Sequence, residues 1–273
     1  MQLTFDGRNE RPFWSGDGRY IFFTSDRGEG PALWSMRPDG GEQTELLFAP
    51  GAVAYSISPD GQYTAYAQRV DGDYELFLSG ELWLRQSGDQ VNYMWSPDSS
   101  RILFESGDGA KVIYTLAVNQ TISFPLTDPA YSSWNPTWAP DSWRLAFAST
   151  RDGNAGVYVI NVDGSGLLRL TPLDAWSQAP SWSPDGATIA YVAGSPEGGW
   201  TLYAMNEDGS DRRLLLPAVY PEAMAVWSAD SSQLAVILDD GDLELAALRG
   251  DGGGFTRLTD NAANDWGPVW EPR

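Results

Sequence analysis

The chain has 273 residues, carries a formal charge of −20 and contains neither His nor Cys. Such a field opposes nucleic acid and anionic membrane surfaces, since both need a basic patch to neutralise phosphates. Without His and Cys there can be no disulfide, Ser-His-Asp triad, thiol nucleophile, imidazole base or His-ligated zinc site.

One phrase recurs seven times along the chain, and its anchors are Trp14, Ile57, Trp95, Trp138, Trp182, Trp227 and Trp270, spaced by 43, 38, 43, 44, 45 and 43 residues. Only Ile57 departs from Trp. Six anchors are followed by a turn, at Gly16-Asp17-Gly18, Pro59-Asp60-Gly61, Pro97-Asp98-Ser99, Pro140-Asp141-Ser142, Pro184-Asp185-Gly186 and Ala229-Asp230-Ser231. Pro suits the second position of a tight turn, Asp bonds its own backbone and Gly accepts positive φ, so each phrase reads as strand then hairpin turn. These strands are predicted at 10–15, 53–58, 91–96, 134–139, 178–183 and 223–228. In the fourth copy a second strand follows at Arg144–Ser149, a turn at 151–154, a third strand at Val157–Ile160, an Asp163-Gly164 turn and a fourth strand from Leu168 to Thr171. A period near forty residues made of four short strands predicts an all-β, six-bladed β-propeller, each blade a four-stranded antiparallel meander. The six anchor tryptophans are expected to be buried between blades, with Trp34, Trp83, Trp143 and Trp200 as packing residues in or beside strands.

Together, Pro-x-Trp-Ser-Pro-Asp-Gly, an Ile-Ala-Phe/Tyr strand, Ser-x-Arg-Asp-Gly, an Ile/Val-Tyr strand, Asp-Gly-Ser and Arg-Leu-Thr resemble the TolB-type propeller repeat. That repeat also occurs in the propellers of tricorn-like and prolyl-oligopeptidase-like peptidases. The resemblance covers essentially the whole chain and implies the fold; the repeat is a framework that carries many jobs. The resemblance is to the propeller alone, and neither the N-terminal α/β domain of TolB nor a hydrolase domain is expected here.

Residues 1–273 read as a single domain of six repeats, with a redundant inner-strand segment at 267–271. Leu3-Thr4 through Pro12-Phe13-Trp14 matches Leu258-Thr259 through Pro268-Val269-Trp270, so one link into an inner strand occurs twice. One copy is expected to close the ring and the other to pack peripherally or exchange with a neighbour, giving a monomer or a strand-exchanged oligomer. No apolar run is long enough to span a membrane. The start at Met1-Gln2-Leu3 leaves two settings: cytoplasmic, or, as the resemblance implies if a signal peptide has been removed, periplasmic or extracellular.

Strand order places the Pro-Asp-Gly turns on one face, expected to be inert, and the links into each inner strand on the other, where the sequence varies most. Function usually sits on such variable loops. Trp134, Trp176, Tyr220 and Trp266 lie there with Asn92, Asn135 and Gln178, and aromatic rings among amides suit a peptide or a sugar. The same rings can equally lid the gaps between blades.

Carboxylates are the remaining catalytic resource, and a glycosidase needs only two; Glu10, Asp89, Asp128, Glu222 and Asp265 are on the variable face. The sialidase turn motif is not satisfied at Ser15-Gly16-Asp17-Gly18. The resemblance implies a further limit, since the related oligogalacturonate lyases rely on histidine-bound metal. Asp71-Gly72-Asp73 and Asp239–Glu244 lack the pattern of an EF-hand loop and read as hairpin turns. The expectation is a non-enzymatic scaffold without metal or cofactor, binding a protein or peptide at the variable face. A lectin or carboxylate-based glycosidase is one alternative, and an engineered or excised repeat chain with no ligand is another.

Overall fold

The recurring phrase folds locally because the serine after the anchor and the aspartate two residues later close the turn between them. In the second repeat Ser58 Oγ donates to Asp60 Oδ1 at 2.6 Å and accepts the Tyr63 N–H at 3.0 Å, while Asp60 Oδ1 also accepts the Gln62 N–H. The same bonds form around Asp17, Asp98, Asp185 and Asp230. In the fourth repeat Ala139 replaces the serine, and Asp141 Oδ1 takes the N–H groups of both Trp143 and Arg144. In two of the turns that end in Ser instead of Gly, the strained left-handed backbone gains an inter-blade bond. Ser99 (φ 63°) accepts the Asp60 N–H, and Ser231 (φ 59°) accepts the Asp185 N–H.

A computed structural model of the chain describes residues 3–4, 6–71, 73–84, 93–107, 109–222, 224–239, 241–261, 264–265 and 267–272. The fold is an all-β propeller of six blades, each a four-stranded antiparallel sheet of contiguous chain hydrogen-bonded in sequence order. This is the architecture that the repeat predicts. Two compact units are distinguished: 1–109 with 114–124 and 271–273, and 110–113 with 125–270.

In the first unit the inner strands are Asn9–Trp14, Ala52–Ile57 and Tyr93–Trp95; the expected start of the third, at 91–92, lies outside the described residues. Second and third strands meet through stacked rings, Tyr66 on Phe77 at 5.2 Å and Phe104 on Tyr114 at 5.3 Å. Arg27, from the Ser-x-Arg turn, lies over Phe23 and Trp34. Leu3 packs against Gly40 and accepts a bond from the Gln43 side chain. Pro272 lies against Gly18.

The second unit repeats this grammar with inner strands Ser133–Trp138, Trp176–Trp182 and Val226–Trp227. Phe147 stacks on Tyr158 and Tyr191 on Tyr203, with Arg151 over the first pair. The threonine of Arg-Leu-Thr ties the fourth strand to the third, Thr171 Oγ1 accepting the Val157 N–H and Thr259 Oγ1 that of Leu245. Leu170 seats on Gly209 and Leu215 on Gly252 of the following blade, as Leu3 seats on Gly40. Residues 267–272 form no strand, yet Trp270 Nε1 donates to the Val226 carbonyl at 2.7 Å.

Three expectations need correction. The sixth inner strand, predicted at 223–228, has only two residues. Val219 bridges Leu238 and Val226 pairs with Ala235, so seven steps of this chain segment oppose three on its partner. Trp143 is not a packing residue: its N–H caps Asp141 while its side chain is 47% exposed. Trp83 is buried, and Trp34 and Trp200 are half-buried. Among the anchors Trp95, Trp138, Trp182 and Trp227 are buried, whereas Trp14, Ile57 and Trp270 are only half-buried.

Candidate binding site

Tyr220, Glu222, Met224 and Ala225, from the link into the sixth inner strand, line a cleft of the second unit. Trp182, Trp227 and Pro268 also line its 720 Å³. Mostly apolar walls with a few polar groups and a volume of this size suit a ligand. The Tyr220 hydroxyl donates to Glu222 Oε2 at 3.4 Å. Burial raises the Tyr220 phenol above its ordinary value, and the adjacent Glu222 carboxylate pushes in the same direction.

Among the described residues, Tyr220 alone of the predicted binding residues lines this cleft, and Trp176 and Gln178 are joined to its edge through Pro221. Trp176 Nε1 donates to Gln178 Oε1 at 3.2 Å, and Gln178 Nε2 donates to the Pro221 carbonyl at 3.0 Å, next to Tyr220. Trp176 keeps 41% of its surface exposed at the edge of its strand. Trp134 is half-buried and holds on the fourth blade the position of Gln178 on the fifth, four residues before the anchor. Asn135 sits at an inner-strand bulge with φ 50°, a conformation shared by Arg11, Ala54 and Ala179 at the equivalent bulges. Asn tolerates left-handed φ, which suits it to this position. Asn92 and Trp266 lie outside the described residues, as does Asp89.

The other candidate carboxylates are engaged locally. Glu10 pairs with Arg8, Asp128 accepts the Ala130 N–H and Asp265 accepts a bond from Asn261. Of the described carboxylates named from the sequence, only Glu222 lines the cleft. Among the described residues no group of three His, Cys, Asp or Glu side chains is placed to hold a metal ion.

Sequence reasoning missed Met224 and the cleft-facing edges of Trp182 and Trp227. The one signal for the link was the spacing from Trp182 to Trp227, the longest of the six at 45 residues.

The TolB beta propeller domain profile matches residues 84–226, more than half of the chain. The chain belongs to this TolB propeller family. Among its relatives, the uncharacterized protein Atu1656 of Agrobacterium fabrum is 27% identical over 195 residues, 67% of this chain and 65% of that protein. The Tol-Pal system protein TolB of Francisella tularensis is 26% identical over 213 residues, 73% of this chain and 49% of that protein. The chain therefore spans less than two thirds of either relative. The solved oligogalacturonate lyase of Vibrio parahaemolyticus superposes with a TM-score of 0.74 at 14% identity, covering 95% of this chain and 81% of the lyase. The TolB propeller fold is thus shared by a lyase and by a Tol-Pal protein, and it does not by itself choose between catalysis and binding.

Proposed function

We propose that this TolB-family propeller is a non-catalytic binding scaffold whose partner is a protein or peptide seated on the variable-face links. The observation that carries this reading is the bonded run from Trp176 through Gln178 to Pro221, which ends beside the cleft under Tyr220 and Glu222. It offers flat apolar area, an amide and a carboxylate within one site, the mixture peptide recognition uses. A protein partner also accords with the Tol-Pal name of the Francisella relative. Trp134, Asn135, Trp266 and Asn92 are assigned to the same surface by their place in the repeat. The whole chain is read as one domain whose C-terminal segment duplicates an inner-strand slot.

Peptides selected on the purified chain from a displayed random library, with affinities then measured by calorimetry, test the proposal. Joint replacement of Trp134, Trp176 and Trp266 by Ala should weaken the selected peptides by about tenfold or more, equivalent to at least about 1.4 kcal/mol. Unchanged affinity in a folded triple variant would remove the site. Exposed Trp176 beside the Gln178 amide also suits a sugar ring, so a glycan array belongs in the same experiment; glycan cleavage by the pure chain would overturn the non-enzymatic reading.

A further inference from the structure

The anchors follow a rule that makes the exception at Ile57 informative. The indoles of Trp95, Trp182, Trp227 and Trp270 meet the preceding blade at one or both of two positions, while the Trp182 N–H itself donates to the Gly186 carbonyl of its own turn. One is the residue six after the preceding anchor: Tyr63 stacks on Trp95 at 6.2 Å and 19°, and Arg144 lies over Trp182 at 5.1 Å. The other is the residue just before the preceding anchor. Trp95 Nε1 donates to Ser56 Oγ, Trp227 Nε1 to the Ser181 carbonyl and Trp270 Nε1 to the Val226 carbonyl, at 3.2, 3.1 and 2.7 Å.

On the first blade the equivalent receiving residues are Tyr20 and Phe13, and the anchor due to meet them is Ile57. Isoleucine supplies neither a flat ring nor an N–H. In place of the indole the first unit has a cleft of 590 Å³, lined by Phe13, Trp14, Tyr20, Phe22, Leu46 and Ile57. Both receiving residues thus line the space, and Tyr20 is left 38% exposed. Among the described residues the charged side chains on the lining are the carboxylates of Asp17 and Asp60; Arg19, off the lining, pairs with Asp17 Oδ2 at 2.5 Å, so a bound cation is assigned to Asp60. A cationic partner is therefore complementary, and the net charge of −20 draws cations toward the protein.

We propose that this cleft binds a small aromatic amine, its ring stacked on Tyr20 in place of the indole that Ile57 lacks and its ammonium group beside Asp60. Aromatic walls favour such a cation further through cation–π attraction. The site lies among the Asp-bearing turns, the face that the sequence marked as inert.

Calorimetric titration of the full chain with tryptamine tests the proposal. Binding should saturate with a Kd of about 0.1–1 mM, the range of a ligand with few heavy atoms. Ile57→Trp restores the missing ring and should weaken tryptamine by about tenfold or more while leaving the circular dichroism of the protein unchanged. Tyr20→Ala, a change at an exposed side chain, removes the stacking surface without filling the cleft and should weaken binding to a similar degree; it decides the matter if the tryptophan variant fails to fold. Butylamine, with the charge but no ring, and indole-3-acetate, with the ring but opposite charge, should each bind about tenfold more weakly than tryptamine. Absence of binding by about 10 mM tryptamine, unchanged affinity in either folded variant, or parity of either analogue with tryptamine would overturn the proposal.

Discussion

Replacing Ala193 by serine should stabilise the protein, because the fourth blade shows the bond that the fifth blade lacks. On the fourth blade Ser133 faces Ser149 across the inner pair, and their hydroxyls bond at 3.1 Å with both residues fully buried. On the fifth blade the corresponding pair is Ser177 and Ala193, and the buried Ser177 Oγ has no partner. A buried hydroxyl without a partner carries its desolvation cost of about 1–3 kcal/mol, and a new bond returns about 1 kcal/mol net. Ala193→Ser should therefore add about 1 kcal/mol, or about 2–4 °C in Tm for a domain of this size. Ser177→Ala deletes the unpaired group and should be neutral or slightly stabilising, whereas Ser149→Ala on the fourth blade should cost about 1–3 kcal/mol. Urea unfolding of the three variants, with a double-mutant cycle on 177 and 193, measures each term. Destabilisation by Ser177→Ala as large as that by Ser149→Ala would refute the reasoning, since it would mean that Ser177 is already satisfied.

Trp182→Ala should cost about 3–5 kcal/mol by urea unfolding, since it empties a buried indole site and removes the cation–π contact with Arg144; a loss below about 1 kcal/mol would show that the anchor does not hold its blade. Deleting residues 267–273 removes the Trp270 bond to Val226, and hydrogen exchange should then quicken in the sixth blade; unchanged protection of Leu234 to Leu238 would make that segment dispensable. Acid should unfold the protein through its turns. The Ser15, Ser58 and Ser183 hydroxyls hold Asp17, Asp60 and Asp185 below the ordinary 3.8, Asp17 at about 2. Their folded pKa values lie below the unfolded ones, so this contribution is complete above pH 4 and drains away toward pH 2. Burial raises Tyr158 and Tyr191 to about 12, so a second loss should begin above pH 10 and run to pH 12. Thermal melts across pH 2–12 check both limbs, and a melting temperature constant from pH 5 to 2 would contradict the first.

The contacts legible from sequence lie within single blades. The Ser-Asp turn around Asp60, the Thr171 bond to Val157 and the Phe147–Tyr158 stack are contacts inside one blade, and repetition of their motifs made the blade count and strand order legible. The aromatic and amide residues of the variable links were legible as a list, but only tertiary structure joined Trp176 and Gln178 to Pro221, since Gln178 and Pro221 are 43 residues apart. The same holds for the short sixth inner strand, the exposed Trp143, the orphaned Ser177 hydroxyl and the cleft beside Ile57. Each depends on what the neighbouring blade or strand presents at one register position. A repeat specifies its own hydrogen bonds through local chemistry, whereas the space between two blades is set by side chains from two repeats at once. A substitution such as Trp to Ile therefore shows its consequence only when both surfaces are in place.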